Sequence, residues 1–365
     1  MMDWHDLTRR GIVTVTMVNP TDLDATMGEL GGVDLPGSSL SYGYYADTRV
    51  TGKLRVVGDG WQRGSWLRIG YRIPEWDWST ELGTFIVTND SAERQNGTWA
   101  YDLELQSALY GLSTDRLVRP WAIAQGAMAL TAMRQCVEAA GMRLQSLGAL
   151  DCRLGSPKVV ETGTSRLSAL YALADIANDR LDVDGHGRPT VAPYQTPASR
   201  APSLAIDLAD RRGVAQDGVT RTTDWLKMPT VAAVRYTYNN DDGEQLEINA
   251  SATVAATAHQ SRANRGYTVT DMHQLNELVP ATARRAQEMA AEFLANDSVE
   301  HVEWGVTTTY LPIKAGDVVE LVVHDGLADY RGSRKCLVKT CELELGTMTM
   351  TLTLKETASG DEEDV

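Results

Sequence analysis

The sequence predicts a mixed, mainly β fold with helices confined to its middle and to one late segment. Three observations carry this. Short alternating or apolar runs fill the first third. Two stretches with three- and four-residue apolar spacing follow proline 120. Alternating runs then return and continue almost to the end. At 365 residues the chain is long enough for about two or three domains, each able to bury its own core.

In the first third, Val13, Val15 and Met17 alternate with threonines, and further runs lie at 50–57, 66–73, 83–88 and 99–105. Breaks such as Gly58-Asp59-Gly60 and Asn96-Gly97 separate them, so five or so short strands imply a sandwich or a small barrel. A helix is expected over 127–140, with Leu130, Met133, Val137 and Ala140 on one face and Gly141 as its stop. A second is expected over 164–178, capped by Thr164 or Ser165, with Leu167, Leu170, Ala174 and Ala177 inward. Residues 181–191 read as a hairpin, and Pro193, Pro197 and Pro202 as a linker. Strands follow at 231–238, 299–310, 317–324, 335–345 and 347–355, interrupted by a turn at 239–243 and a helix over about 280–296. Pro280 suits that helix's first turn, and Met289 and Phe293 lie one turn apart. In the last strand Met348, Met350, Leu352 and Leu354 should share a face opposite four threonines. The terminal GDEEDV reads as a disordered acidic tail.

Composition narrows the function classes. Asp and Glu number 49 against 34 Lys and Arg, a formal net charge of −15. A protein that wraps or reads duplex DNA needs a basic surplus, whereas an acidic wall lets DNA slide past without sticking. The four cysteines form no C-x-x-C pair and are expected reduced and structural. Cys336 and Cys341, an odd number of positions apart, should face opposite sides of one straight strand. The N-terminus lacks an apolar signal core and no run reaches membrane-spanning length, so a soluble protein without integral membrane association is expected.

Chemistry-bearing motifs are sparse. Asp182-Val183-Asp184-Gly185 resembles the start of a calcium loop. The twelfth position of such a loop, counted from Asp182, holds Pro193 instead of a bidentate glutamate, so a turn is the simpler reading. His186 reads as an exposed turn residue, and His5, His259, His273, His301 and His324 are scattered singly with no H-E-x-x-H. The glycines at 28, 31 and 32 do not make G-x-G-x-x-G, and no P-loop or G-x-S-x-G occurs. No catalytic residue, cofactor or metal is expected, although two glycosidase carboxylates can come from distant positions and leave that class open. The aromatic residues say more. Seven of nine tryptophans lie at or before Trp121. Trp76 and Trp78 flank Asp77 in the segment PEWDWS, between two strands. On an extended loop both indoles would share one side, opposite Glu75 and Asp77, as either an assembly interface or internal packing.

Six segments resemble bacteriophage tail baseplate hub proteins, in a consistent order along the chain. They are DTRVTGKL at 47–54, GSWLRI at 64–69, WSTELGTFIV at 78–87, LQSALYGLSTD at 105–115, NDRLDVDGHGR at 178–188 and EWGVTTTYLPIKAGDVV at 303–319. The resemblance implies two small antiparallel β-barrels of the tail-tube type with α/β insertions. The first barrel would be 1–118 and the second 203–238 with 299–356. Insertions at 119–202 and 239–298, the latter with a helix, and an acidic tail at 357–365 would complete the chain. It further implies a homotrimeric ring in a virion tail, assembled in the host cytoplasm. The ring would join the distal tail or tube protein and the tape measure protein to spike or fibre proteins, with DNA present only in passage through the lumen. No hydrolase domain is expected beyond the acidic tail. The competing readings are a tail-associated cell-wall hydrolase and a receptor- or carbohydrate-binding tail module.

Overall fold

The structure, a computed structural model, describes residues 11–58, 60–149, 151–154, 157–210, 213–214, 218–223, 228–239, 245–276, 283–297, 302–324 and 331–357. Trp4, His5, Pro280, His301, most of the 239–243 turn and nearly all of the acidic tail lie outside the described residues. Contacts divide the chain into two compact units, Met1–Val219 with Gly305–Leu354 and Thr220–Trp304 with Lys355–Val365.

The larger unit opens with seven antiparallel strands: β1 (Ile12–Asn19), β2 (Asp22–Glu29), β3 (Val33–Gly43), β4 (Val50–Val57), β5 (Trp66–Ile73), β6 (Trp78–Gln95) and β7 (Thr98–Ser107). β4 and β5 coincide with the runs the sequence marks. β2 and β3 are strands that alternation does not reveal. β2 is DLDATMGE, mostly exposed at the sheet edge, and β3 is interrupted by Pro36-Gly37, where its register with β4 slips between Asp34 and Ser39. Leu40, Leu54, Leu67, Ile69, Phe85, Leu103 and Leu105 fill the space between these strands, each 1% exposed or less. β5 is buried continuously from Leu67 to Tyr71, so both of its faces are covered.

A short helix, α1 (Leu109–Thr114), leads into an α/β layer. This contains β8 (Trp121–Ile123), α2 (Ala129–Glu138), β9 (Gln145–Ser146), β10 (Lys158–Val160), α3 (Arg166–Ala177), β11 (Asp179–Val183) and β12 (Pro189–Pro193). The expected helical faces pack together. Leu130, Met133 and Val137 of α2 meet Leu167, Leu170 and Ala174 of α3 in one cluster with Leu181 and Val191. Ser165 caps α3 by accepting from Ser168 N at 3.1 Å, and Asn178 ends it in the left-handed region. β13 (Ala205–Asp207) follows.

The smaller unit contains β14 (Thr220–Thr223), β15 (Val231–Asn239), β16 (Gln245–Thr253), α4 (Arg262–Arg265), β17 (Thr270–Asn276) and α5 (Ala283–Asp297). β15 was expected with the closing strands of the chain. Its hydrogen bonds instead run to β16, antiparallel, and to β17, parallel. Met289 and Phe293 of α5 pack with Ala290 against Val234, Ile248, Ala250 and Ala252, so the helix satisfies this sheet's apolar face locally.

The closing strands are β18 (Val302–Thr309), β19 (Val318–Val323), β20 (Gly332–Glu344) and β21 (Thr349–Glu356). Met350, Leu352 and Leu354 are buried as the alternation requires. Met348 is not part of that face, because its φ of 52° places it in the turn before β21. In the larger unit the sheet runs in the order β18-β21-β20-β3-β4-β7-β6-β5-β1-β2, with β19 on β20 and β13 on β19. The fold is mainly β and antiparallel with α/β insertions, as expected. Its two β halves share one hydrogen-bonded sheet, because residues 340–344 of β20 pair with 39–43 of β3.

The four cysteines are free thiols. Cys336 and Cys341 do not divide between a buried and an open face. Both are fully buried, because β20 is covered on both sides at 336–338. Burial pushes the Cys341 thiol up to about 12, with the Asp317 and Glu342 carboxylates adding to the effect, and raises Cys136 as well. Iodoacetamide at neutral pH is therefore expected to label Cys152 alone in the native protein and all four thiols in denaturant, which intact-mass measurement distinguishes. Because the unfolded chain loses the Cys341 proton first, native stability should fall as pH rises from the ordinary thiol value towards 12.

Candidate functional site

The DVDGHGR segment is a hairpin turn that fastens the α/β layer to the β sheet. β11 and β12 pair from Asp179↔Pro193 to Val183↔Pro189. Asp184 Oδ1 accepts from Arg188 N at 2.7 Å, and Gly187 takes a φ of 83° that a side chain would strain. Asp182 Oδ1 accepts from Val183 N at 2.9 Å while its Oδ2 pairs with Arg180 at 3.1 Å. Both aspartates serve the hairpin, and His186 is exposed at its tip. Among the described residues, no three His, Cys, Asp or Glu side chains come together in a metal-ligating arrangement.

The tip lies on β6. Thr84 Oγ1 donates to Gly185 O at 2.8 Å and accepts from Arg68 Nε at 3.1 Å. Arg68 in turn donates through Nη2 to Leu23 O at 2.5 Å. Arg68 is 9% exposed, a buried guanidinium that this relay partly satisfies. Arg188 reaches Asp24 on β2, 2.6 Å from its Oδ2. A Cβ on Gly185 would stand 2.7 Å from both the Cβ and the carbonyl oxygen of Glu81, so the tip can approach only as glycine. The tip thus sits against Glu81 and Thr84 of β6 and is linked through Thr84 to Arg68 of β5.

The body of the hairpin touches both β halves. Arg49, between β3 and β4, donates to Leu181 O at 3.1 Å, and Lys314, between β18 and β19, lies 4.0 Å from Asp182. The LPIKAGD segment makes the turn there. Asp317 Oδ2 accepts from Lys314 N at 2.8 Å. Gly316, at φ 96°, donates to Val338 O and accepts from Arg200 Nη1 at 2.7 Å. A Cβ on Gly316 would stand 2.3 Å from an Arg180 guanidinium nitrogen. Burial raises the Asp317 carboxyl above its usual range, partly countered by the Lys314 amide and ammonium.

Trp76 and Trp78 do not lie on an extended loop. Pro74–Trp76 is one turn of 3-10 helix with proline at its start, and Asp77 follows in the left-handed region at φ 48°. The turn therefore breaks the shared-side geometry. Trp78 is the first residue of β6, paired with Ile73. Its ring lies 6.2 Å from Tyr71 and 6.1 Å from Tyr310, which themselves meet edge-to-face at 4.8 Å. Trp76 is half-buried on the turn itself. The sequence reading missed Arg68, Thr84 and Gly185 as a functional group, although segments 64–69, 78–87 and 178–188 are where they lie.

No protein-family model and no curated protein matches the sequence. Solved structures do. The tail protein from Neisseria meningitidis MC58 aligns over 94% of this chain and 96% of its own, with a TM-score of 0.62 at 11% identity. The 43 kDa tail protein of prophage MuSo2 from Shewanella oneidensis aligns over 94% and 98%, with a TM-score of 0.63 at 10% identity. Prophage tail protein gp18 from Listeria monocytogenes EGD-e aligns over 94% of each chain, with a TM-score of 0.56 at 10% identity. At such identities the likeness is one of backbone path, and it spans nearly the whole chain. The fold of this protein is that of phage tail proteins.

Proposed function

We propose that the chain is a structural hub of a phage or phage-derived tail, three copies of which form a ring between the tail tube and distal spike or fibre proteins. The observation that carries this reading is the joining of two antiparallel β halves into one sheet across β3 and β20, braced by the hairpin. Three copies of a chain with two such halves present six tube-like units, which suits attachment to a six-fold tube. The full-length likeness to tail proteins supports the same role. A net charge of −15 suits a lumen through which DNA passes without adhering. The remaining partners in this reading are the distal tube protein and the tape measure protein. The place of action is the virion tail after assembly in the host cytoplasm. Among the described residues no helix is long and apolar enough to cross a membrane.

Native mass spectrometry of the purified chain tests the ring. A species near 120 kDa, three times the 39.9 kDa chain, is expected to appear as concentration rises. A chain that stays monomeric at every concentration, and also in the presence of its tube protein, would remove the proposal.

A further inference from the structure

The long β6–β7 hairpin ends in the one Asn-Gly pair of the chain, Asn96-Gly97. Gln95 pairs with Thr98, so these two residues are the whole turn. Their φ values of 49° and 86° are those of a type I′ turn, which takes a left-handed residue at both central places. Every residue from 91 to 99 is exposed, and a Cβ on Gly97 would have nothing within 4 Å. Among the described residues, no protein group pairs with the Asn96 carboxamide or with the Gly97 N–H.

An asparagine carboxamide can be attacked by the next backbone nitrogen, which closes a five-membered ring. A following glycine offers that nitrogen with no side chain to crowd the closure. Asn19 precedes Pro20, whose nitrogen carries no proton, and its Oδ1 already accepts from Thr21 N at 3.0 Å. Asn89 and Asn178 precede aspartates, and Asn264 precedes an arginine. One other described pair has the same local chemistry, Asp184-Gly185. There Asp184 Oδ1 accepts from Arg188 N at 2.7 Å, Gly185 O accepts from Thr84, and the main chain is wedged against Glu81. Closure needs rotation about the bond that joins the two residues. At 96–97 only the last rung of a strand ladder resists this rotation, whereas at 184–185 the whole clasp does.

We propose that Asn96 is a site of spontaneous deamidation and that it ages the β6–β7 tip. The Gly97 amide nitrogen, its proton lost to water, bonds to Asn96 Cγ. The bond from Cγ to the side-chain nitrogen breaks, and that nitrogen leaves as ammonia. Water then opens the succinimide at either carbonyl, giving isoaspartate or aspartate, so the net change is one water taken up and one ammonia released. Isoaspartate lengthens the main chain of a two-residue turn by one carbon and adds a carboxylate to the tip. The inference is independent of the ring, since both residues belong to one turn.

The test incubates the full-length protein at mildly alkaline pH for several weeks beside a synthetic peptide of residues 91–101. Tryptic mapping follows the fragment Gln95–Arg116, in which Asn96 is the only asparagine. It should become about 1 Da heavier and split into isoaspartate and aspartate forms. The native rate is expected to lie within about tenfold of the peptide's, because a terminal rung opens at little cost. The fragment Leu181–Arg188 should show no isoaspartate at Asp184 in the native protein and should acquire it in denaturant. A native rate at Asn96 below the tenfold bound means that the turn protects its asparagine, and overturns the proposal. So does conversion to aspartate alone, which would exclude the succinimide. Isoaspartate at Asp184 in the native protein as fast as at Asn96 overturns it too, since tertiary setting would then not select the site.

Discussion

Gly185→Val is expected to lower native stability by about 2–4 kcal/mol, seen as a fall of roughly 4–10 °C in melting temperature. The valine Cβ would stand 2.7 Å from the carbonyl oxygen of Glu81. That carbonyl belongs to a paired strand, with Gly70 opposite Glu81, and cannot move aside without breaking the sheet. The hairpin must lift instead. Lifting removes the bond from Thr84 to Gly185 O and opens the buried Arg68 relay to disorder. Gly31→Val is the control, because a Cβ there has nothing within 4 Å and the residue's φ is not in the left-handed region. Thermal unfolding of both variants decides the matter. If Gly185→Val melts within a degree or so of Gly31→Val, the hairpin does not clasp β6 as described.

The second large effect separates the two tryptophans. Trp78→Ala should cost about 2–3 kcal/mol of stability, because it empties one side of the cluster formed with Tyr71 and Tyr310. That cluster ties the first β half to the segment before β19, so its loss also loosens the joint between the halves. In the proposed ring, Trp76→Ala, half-buried like Trp78 but on the turn before β6, should change the melting temperature little while weakening association roughly thirtyfold, the effect of about 2 kcal/mol at an interface. Melting curves and the concentration dependence of the 120 kDa species, both measured on each single variant, test this. Normal assembly of Trp76→Ala would remove the turn from the interface. Parent-like melting of Trp78→Ala would show that its cluster with Tyr71 and Tyr310 adds little to stability.

The same contrast marks how far the site was legible. Residues 181–191 read as a hairpin because Asp and Gly at those positions have few other uses, and the pairing of β11 with β12 follows that reading. The rejection of a calcium loop also rested on one position, Pro193, and the structure uses Asp182 and Asp184 inside the hairpin. Nothing local says that Gly185 faces Glu81, 104 positions earlier, because the contact depends on how the layer folds back on the sheet. The Trp76–Trp78 expectation treated the segment as extended, whereas Pro74 starts a helical turn and Asp77 reverses the chain. Side-chain parity holds only while backbone geometry stays in one region.

What the sequence by itself determined is the set of local elements with strong periodicity: β4 and β5, the facing sides of α2 and α3, a cap on α3 at Thr164 or Ser165, which the structure places at Ser165, and the buried side of β21. These follow from apolar spacing and capping chemistry, which act over a few residues. The tertiary structure alone decided the exposed edge strand β2, the interrupted strand β3, and the pairing of β15 with β16 and β17. It also decided the junction of β3 with β20, which makes two β halves one sheet. Strand pairing is a choice among partners far apart in the chain. It is made by backbone hydrogen bonds that every residue except proline can offer, so side-chain pattern carries little record of which partner is taken.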